Sequence, residues 1–581
     1  MKHFLRTYLP VVAAGILLSW AFPRFHFHVL AWVALAPLFL SAAQSSPLGA
    51  AAKFYLCAHI FHSILLQWLV ANIFWAGGWA IVGQQLLCVA LSLYWAVFGF
   101  GWRWAHQRAP AYAGAVCLAG LWVLMELLQA RLFSGFGWGA LGYTQGGNLY
   151  VAQWASIGGV TLISFLLLLV NALLALAWVE QAYRVRRLVA AGCIVLVMHG
   201  GGYLMLGEAD YESEPFTVGI VQPNFSQEMK WDPAYEVDMV QRTAQLSRAL
   251  AAREPIDLMV WPEALVVRHY GIEPFLDILT HTARDMRTHL LTGTVRDDYN
   301  TGKSFNSTVL IGPEGTDMGH YDKIHLAPFG EYIPFEEYLP FIGHIAFGGM
   351  AAGDTPQVYS VGTRSPAPLI CFEVLFAPLS ERLLDMGADM LVVVTNLAWF
   401  GGSNAIPQEL EIARMRAIET RLPLIHSANT GISGVFDPYG RFQVVRHTVA
   451  PRGDLVDWGD RAQPHHAIMR RFVGSFEIAA PALRILPYGP VLLPWLLATV
   501  GVLLVVAAFV RGFLWETVLG QGTPKPKPKA KKKSTAPSKG KSATGPAKKK
   551  PRKKKSAAAD KQDEASGEKE AKNTKASKEE E

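Results

Sequence analysis

Eight apolar segments constrain this chain more than any other feature of its sequence. A helix that crosses a bilayer needs about 20 mostly apolar residues, and the chain is 51% hydrophobic and only 17% charged. Seven segments crowd into the first 206 residues and one follows residue 485. The sequence therefore predicts a polytopic α-helical membrane domain of about eight spans: Tyr8–Phe22, His28–Ala43, Phe54–Trp75, Trp79–Trp102, Tyr112–Leu132, Val151–Val179, Leu188–Leu206 and Leu486–Phe509.

The basic residues of the short loops predict an orientation, because Lys and Arg concentrate on the cytoplasmic side of membrane proteins. If the N-terminus is cytoplasmic, three basic clusters fall on the same side, and the opposite loops hold little more than Arg24 and Arg131. Seven crossings then place the region after Leu206 outside, and the eighth returns the chain to the cytoplasm. The clusters are Lys2 with Arg6, Arg103 with Arg108, and Arg184 with Arg186 and Arg187.

This pattern divides the chain into four parts: a membrane domain at 1–206, an outside domain at 207–485, an eighth span at 486–513 and a tail at 514–581. The outside part alternates short apolar β-rich runs with helical periods such as Met239–Ala252 and Gln408–Thr420, which is typical of a layered α/β domain. The expected buried strands begin at Phe216, Leu258, His289, Leu369, Met390 and Leu424.

The C-terminal tail accounts for the net positive charge of the chain. Residues 521–581 hold 20 Lys and Arg against 8 Asp and Glu, whereas the whole chain has a net charge of only +7. Such a segment can contact nucleic acid or anionic lipid, but its composition favours a solvated, disordered extension that cannot build a core. We expect membrane lipid, and no nucleic acid, among the partners.

Cys371 is the only cysteine outside the predicted spans, and the other four, Cys57, Cys88, Cys117 and Cys193, lie in apolar runs. No pair has the spacing of a metal or redox site. We therefore predict no disulfide framework, no metal and no organic cofactor.

Three short segments place reactive side chains at the ends of predicted strands. Glu263 follows a buried strand, Lys323 and Glu331 share a turn region rich in Pro and Gly, and Cys371 and Glu373 stand where a strand ends and a helix is expected to begin. Singly, each residue is more often structural. Together they supply what a thiolate nucleophile needs: a base, a cation for the tetrahedral oxyanion, and a helix N-terminus beside the thiolate.

These segments, read as WPE, YDKIHLAPFGE and CFE in this order, resemble the nitrilase superfamily with its Glu-Lys-Cys triad. Eight spans around one such domain resemble its membrane-embedded branch, the apolipoprotein N-acyltransferases. The resemblance implies an αββα sandwich, with Glu263 as general base, Lys323 as oxyanion stabiliser and Cys371 as nucleophile. It further implies that Glu331 and Glu373 orient the lysine and the incoming amine, that Trp231 supports substrate binding, and that Phe372 lies beside the substrate.

The activity implied by the resemblance is a two-step acyl transfer in a bacterial inner membrane, with the catalytic domain in the periplasm. A monomer would take a fatty acyl chain from a phospholipid, with phosphatidylethanolamine as the expected donor, and form a thioester. It would then pass the acyl group to the N-terminal amine of a diacylglyceryl-modified lipoprotein. Departures from the family pattern at Leu397, Glu409, Gln129 and Phe372 leave the triad intact.

Three alternatives stay open at this point. A membrane-tethered amidohydrolase would use the same triad with water as acceptor. A transporter or receptor would need paired charges within its spans, and Glu126 is the clearest candidate for one. The apolar, Gly-rich stretch 339–353 is either a buried loop or a mobile lid that dips into the outer leaflet.

Overall fold

A computed structural model describes residues 2–72, 77–107, 111–211, 215–333, 349–444, 447–449, 455–457 and 470–514. The described residues all belong to one compact unit, Met1–Gln521. Residues 339–348 of the predicted lid and nearly all of the predicted tail lie outside the described residues.

The apolar segments form helices in one-to-one correspondence with the eight predicted spans. Five are long and apolar enough to cross a membrane, and three are shorter apolar helices of 10–17 residues, Thr7–Ala21, His28–Ala43 and Gly114–Gln129. The five are Pro47–Leu65, Trp79–His106, Ala155–Val179, Gln181–Met205 and Gly489–Ala508. Cys57, Cys88 and Cys117 are buried among them as expected, whereas Cys193 is exposed on the helix surface.

Three of the predicted spans are interrupted. The second is a 3-10 turn, His28–Trp32, followed by a short helix, Ala36–Ala43. The third ends at Leu65, ten residues earlier than predicted, and continues as the turn Gln67–Asn72. The sixth begins at Ala155 and kinks at Gly158 and Gly159, where Gly159 has a φ of +66° that few other residues tolerate. The breaks in the third and sixth spans accept hydrogen bonds from or donate them to the helix Ala405–Thr420, whereas the break in the second span bonds to Asn171 of the sixth.

The remaining residues form the predicted α/β sandwich of two sheets. A nine-stranded sheet has the order β13-β12-β14-β1-β2-β4-β5-β6 with β3 paired to β4, and a five-stranded sheet has the order β11-β10-β9-β8-β7. The strands are β1 Thr217–Gln222, β2 Leu258–Val260, β3 Val266–His269, β4 His289–Asp298, β5 Lys303–Ile311, β6 Asp317–Asp322, β7 Pro366–Ile370, β8 Met390–Thr395, β9 Leu424–Ala428, β10 Gly434–Phe436, β11 Phe442–Val444, β12 His447–Val449, β13 Leu455–Asp457 and β14 Phe472–Glu477.

Alternating side chains bury both faces of the larger sheet. Ile220 and Leu258 point into the core between the sheets, whereas Val221 and Met259 pack against the outer helices Glu236–Ala251 and Phe275–Met286. Period-two alternation in a sheet covered on both sides explains why these strands read as continuous apolar runs. The inner core continues into the membrane part without a break.

One helix, Ala405–Thr420, joins the smaller sheet to the membrane helices and is buried on every side. Its Gln408 carbonyl accepts hydrogen bonds from the indole N–H groups of Trp68 and Trp138, at 3.1 and 2.7 Å, while its amide donates to the backbone carbonyls of Pro23 and Leu65. All four bonds cross from the sandwich to the membrane part, residues 1–206. The sandwich is therefore anchored to the membrane helices rather than linked by a flexible segment.

A second set of polar contacts from the same helix meets the kink in Ala155–Val179. Glu419 accepts a hydrogen bond at 2.8 Å from the Val160 N–H that the kink releases, and it forms a 2.7 Å ion pair with Arg416. Arg416 in turn donates to the Tyr143 hydroxyl at 2.9 Å. Buried charges persist only when they are paired and hydrogen-bonded, and these side chains satisfy one another across the junction.

Candidate active site

Glu263 lies in a tight loop directly after β2. The next residue, Ala264, has a φ of +46°, and the loop presses against Gly293 of β4 so closely that an added Cβ would lie 2.6 Å from Glu263 Cα. A glycine at position 293 is therefore required for this approach. The carboxylate, which is almost fully buried, accepts a hydrogen bond from Asn306 at 2.8 Å.

Lys323 follows β6 and is only 1% exposed. Its ammonium lies 2.8 Å from Glu331 Oε2 and 3.5 Å from Glu263 Oε1. Asn306 donates to both carboxylates, and the Ala327 N–H donates to Glu331 at 2.7 Å. The lysine is thus fixed between two carboxylates that are themselves held in place.

Cys371 stands at the sharp turn where β7 gives way to a short 3-10 turn, Cys371–Leu375. Its φ of +52° is unusual for a residue with a side chain and places the thiol at the end of the strand. We expected an α-helix to begin at Cys371. The five-residue turn comes first because the chain must bend before the helix Ala377–Asp385.

Glu373 ties the cysteine turn to the lysine segment. It is fully buried and accepts four hydrogen bonds: from the Tyr321 hydroxyl, from the backbone N–H groups of Ile324 and His325, and from the Ile370 N–H, all within 2.7–3.0 Å. Burial raises the pKa of this carboxyl, while the hydrogen bonds favour its charged form. Glu373 therefore fixes where Lys323 and Cys371 stand relative to each other.

The electrostatics of the cluster follow from these contacts. Burial alone would lower the pKa of Lys323, but the charges of Glu331 and Glu263 outweigh it, so its pKa is raised and the lysine stays an ammonium. Burial and the charge of Glu263 raise the pKa of Cys371 well above that of a free thiol, against the opposing effect of Lys323. The thiol therefore needs a base to take its proton at neutral pH.

Trp231 and Phe372, the two predicted aromatic contacts, each pack against another aromatic ring. Trp231 is 38% exposed, and its ring centroid is 6.4 Å from that of Trp399. Phe372 stacks on Phe136 of the membrane part, with ring centroids 6.2 Å apart. The residue after the nucleophile thus touches the membrane part directly.

Lys230 is a member of the cluster that the sequence did not single out. It is fully buried and donates a 2.9 Å hydrogen bond to the backbone carbonyl of Glu263. Burial lowers its pKa to about 8, while the charges of Glu263 and Cys371 oppose the shift. The sequence offered one signal for Lys230. It directly precedes Trp231, which was predicted to support substrate binding.

Glu126, the residue on which a transporter interpretation rested, has a local structural role. One of its carboxylate oxygens accepts hydrogen bonds from the Trp122 indole and from the Leu141 N–H, at 2.8 and 2.9 Å. Gln129 similarly donates to the Phe136 carbonyl at 3.1 Å. Both side chains hold the loop that carries Phe136 toward the cysteine turn.

A buried Cys-Lys-Glu cluster between the sheets of an αββα sandwich, anchored on apolar helices, defines a membrane-embedded protein of the carbon-nitrogen hydrolase class. Within the described ranges, no group of three or more His, Cys, Asp or Glu side chains has the arrangement of a metal site. Two family models match the chain: the apolipoprotein N-acyltransferase N-terminal domain over residues 14–173 and the carbon-nitrogen hydrolase domain over residues 217–450.

Two relatives match most of this chain. The chain is 34% identical over 453 residues to the apolipoprotein N-acyltransferase of Geobacter metallireducens, covering 75% of this chain and 86% of that protein. It is 30% identical over 456 residues to the enzyme of the same name from Haemophilus influenzae, covering 76% and 86%. The chain belongs to the apolipoprotein N-acyltransferase family.

A solved structure, that of Saccharomyces cerevisiae Nit3 from branch 10 of the nitrilase superfamily, also aligns with this chain. It covers 46% of this chain and 91% of its own, at 16% identity and a TM-score of 0.35. The family assignment depends on the sequence matches and the two family models.

Proposed function

We propose that this protein transfers a fatty acyl chain from a phospholipid to the N-terminal amine of a diacylglyceryl-modified lipoprotein, through a thioester on Cys371. The observation that supports the proposal most directly is the Lys323 ammonium, held 2.8 Å from Glu331 and 3.5 Å from Glu263, in electrostatic contact with the Cys371 thiol. This arrangement supplies a nucleophile, a base and an oxyanion partner in one enclosed cluster.

In the first step, Glu263 accepts the Cys371 proton while the sulfur attacks the ester carbonyl of the phospholipid. Lys323 stabilises the oxyanion of the tetrahedral intermediate. The intermediate collapses with cleavage of the C–O bond, and Glu263 returns the proton to the departing lysophospholipid oxygen. The product is a thioester on Cys371.

In the second step, the lipoprotein amine attacks the thioester carbonyl. Glu263 accepts a proton from the amine, Lys323 again stabilises the oxyanion, and the C–S bond breaks to release the amide. The thiolate then regains its proton. Splitting the transfer in two lets a single cluster serve a lipid donor and a protein acceptor in turn.

We further propose that the catalytic part, 207–485, faces the periplasm from the inner membrane, between a membrane domain at 1–206 and an eighth span at 486–513. The loop clusters of Lys and Arg support this orientation. The Phe136–Phe372 contact supports entry of the acyl chain from the membrane side. We propose phosphatidylethanolamine as the donor, and a monomer as the active species because the cluster draws every side chain from one chain.

The proposal is tested with purified protein, phosphatidylethanolamine and a synthetic diacylglyceryl-cysteinyl peptide. We expect N-acyl peptide and lysophospholipid in equal amounts, and neither product from Cys371→Ser. Release of free fatty acid with an unmodified peptide would instead favour hydrolysis, as in an amidohydrolase of the same superfamily.

A further inference from the structure

Gln227 has a buried amide N–H group for which the described residues supply no acceptor. It is the first residue of the short helix Gln227–Lys230 and is only 3% exposed. Its Oε1 atom accepts a hydrogen bond from Asn396 Nδ2 at 3.1 Å, whereas its Nε2 atom is buried without a hydrogen-bond partner among the described residues. An unpaired buried donor costs free energy that an incoming acceptor would recover.

The orientation of this amide is fixed by a network of three side-chain amides that begins at the backbone. Asn429 accepts from the Phe225 N–H at 3.1 Å and donates to the Phe225 carbonyl at 2.9 Å, so its oxygen and nitrogen cannot be exchanged. Its Nδ2 also donates to Asn396 Oδ1 at 2.9 Å, which leaves Asn396 Nδ2 to donate to Gln227 Oε1. Each amide therefore fixes the next, and the free atom at the end of the network is a donor.

The amide network ends beside the catalytic cluster. Asn396 directly follows β8, which pairs in parallel with β7, the strand that Cys371 follows. Lys230, on the same short helix as Gln227, donates to the backbone carbonyl of Glu263. Ligands of α/β proteins bind outside the carboxyl ends of parallel strands. The Gln227 amide therefore belongs to the edge of the sheet that carries the nucleophile.

Two tryptophans on the same two segments bring this edge close to the end of a membrane helix. The ring centroids of Trp231 and Trp399 lie 6.4 Å apart. The next residue, Phe400, packs on Trp68 with centroids 4.6 Å apart, and Trp68 belongs to the turn that follows the membrane helix Pro47–Leu65. Tryptophan is enriched where a membrane meets water, which is the depth of the esters that join acyl chains to glycerol. A neutral ester carbonyl is thus the acceptor that a neutral amide meets there.

We propose that the Gln227 N–H donates to a glycerol ester carbonyl of the lipid substrate, other than the carbonyl that Cys371 attacks. The inference rests on the proposed function, because a diacyl phospholipid brings two ester carbonyls and only one is cleaved. Gln227 then determines specificity for ester-linked diacyl lipids. Its contact is the same before and during acyl transfer, so its loss should raise KM and leave kcat unchanged.

The test compares two donors in single-turnover acylation of the full chain, followed by intact mass at increasing donor concentration. One donor is diacyl phosphatidylethanolamine, and the other is an alkyl-acyl ether analogue that keeps the cleaved ester and lacks the other carbonyl. The wild-type protein should need about tenfold more of the ether analogue for its half-maximal rate, the effect of one lost hydrogen bond to a buried donor. Gln227→Met should show the same rise with the diacyl donor and no difference between the two donors.

A second variant separates donation to the lipid from support of Asn396. Gln227→Glu keeps an oxygen that accepts from Asn396 Nδ2 but replaces the free donor by an acceptor, so it should lose the preference for the diacyl donor as Gln227→Met does. Gln241→Met, at an exposed position of the helix Glu236–Ala251, is the matched control and should keep the preference.

The diacylglyceryl group of the acceptor carries the same ester carbonyls, so the second step is assayed separately. Preformed acyl-enzyme is mixed with diacylglyceryl- or dialkylglyceryl-cysteinyl peptide. A preference for the diacyl peptide that Gln227→Met removes would assign the contact to the acceptor, and the same result with the two phospholipids would assign it to the donor.

Two results would overturn the proposal: a preference for diacyl lipids that survives unchanged in Gln227→Met and Gln227→Glu, or a wild-type protein without such a preference in either step. Binding of the two phospholipids to Cys371→Ala, measured by native mass spectrometry, needs no chemistry. If that variant prefers the diacyl lipid and loses the preference on adding Gln227→Met, while the wild-type protein forms no acyl adduct, the contact stands and the proposed function fails.

Discussion

Four carboxylates surround Lys323 and Cys371, and their contacts give each a different role. Glu263 and Glu331 both face the ammonium, but only Glu263 also raises the pKa of the thiol by its charge. Both carboxylate oxygens of Glu373 accept hydrogen bonds, Oε1 from the Tyr321 hydroxyl and Oε2 from the Ile370 N–H. The Oε2 atom of Glu409 is buried and has no hydrogen-bond partner among the described residues. These differences support the proposed role of Glu263 as the base, with Glu331 holding the lysine and Glu373 holding the cysteine turn.

Glu263→Gln and Lys323→Ala should each reduce acylation of Cys371 by about a thousandfold or more, because base, cation and nucleophile act as a unit and single losses are nearly total. Acyl adduct measured by intact mass is the readout. Glu314→Gln, at an exposed turn, is the control and should behave as wild type. If either variant retains a tenth of the wild-type rate, the role assigned to the substituted residue is wrong.

Lys230→Met should lower acylation by about ten- to a hundredfold, because it leaves the Glu263 carbonyl without its buried donor, a loss of about 1–3 kcal/mol. The methionine keeps most of the side-chain volume, so the unfolding temperature should fall by no more than the loss of this one hydrogen bond explains. Lys303→Met, at an exposed strand end, is the matched control. Wild-type activity in Lys230→Met would show that the amine merely fills space.

Among the elements, the strands rich in Val, Ile and Leu were predictable and the polar ones were not. Six strands begin within three residues of the predicted positions, because burial on both faces demands continuous apolar runs. They are β1, β2, β4, β7, β8 and β9. β5, Lys303–Ile311, was missed because Ser304, Asn306 and Ser307 interrupt its apolar pattern. Of these polar residues, Asn306 faces the catalytic cluster and bonds both carboxylates, whereas Ser304 and Ser307 bond Asp297 and Asp322.

The order of the three site segments could be read from the sequence, but their joining contacts could not. Glu373 meets the Tyr321 hydroxyl across 52 positions of the chain, and Gln408 meets Trp68 across 340. No local pattern encodes such pairs. The breaks in the third and sixth spans were missed for the same reason, since the helix Ala405–Thr420 bonds to both of them, and the break in the second span bonds to Asn171, 135 positions away.

Gln408→Ala should weaken the joint between catalytic and membrane parts. It removes four hydrogen bonds and leaves two buried indole N–H groups unpaired, at a cost of about 1–3 kcal/mol for each unsatisfied group. We expect a lower unfolding temperature in detergent and slower acylation. Gln443→Ala, on an exposed strand, is the control. Unchanged stability in Gln408→Ala would mean that apolar packing alone holds the joint.

At the scale of the whole molecule, the chain consists of an enzyme of about 514 residues followed by a basic tail. Truncation after Gly520 should leave turnover in detergent unchanged, because the proposed topology puts the tail and Cys371 on opposite sides of the membrane. In cells, each basic residue near an anionic surface contributes about 1 kcal/mol to membrane attraction, so abundance or distribution can change. A tenfold fall in detergent turnover for a stable truncated protein would contradict this topology.

The covalent step is the central claim, and intact mass after incubation with phospholipid alone tests it most directly. The account predicts a gain of one fatty acyl mass on Cys371, lost on treatment with neutral hydroxylamine and absent from Cys371→Ser. A hydroxylamine-labile acyl group that still accumulates on Cys371→Ser would contradict it.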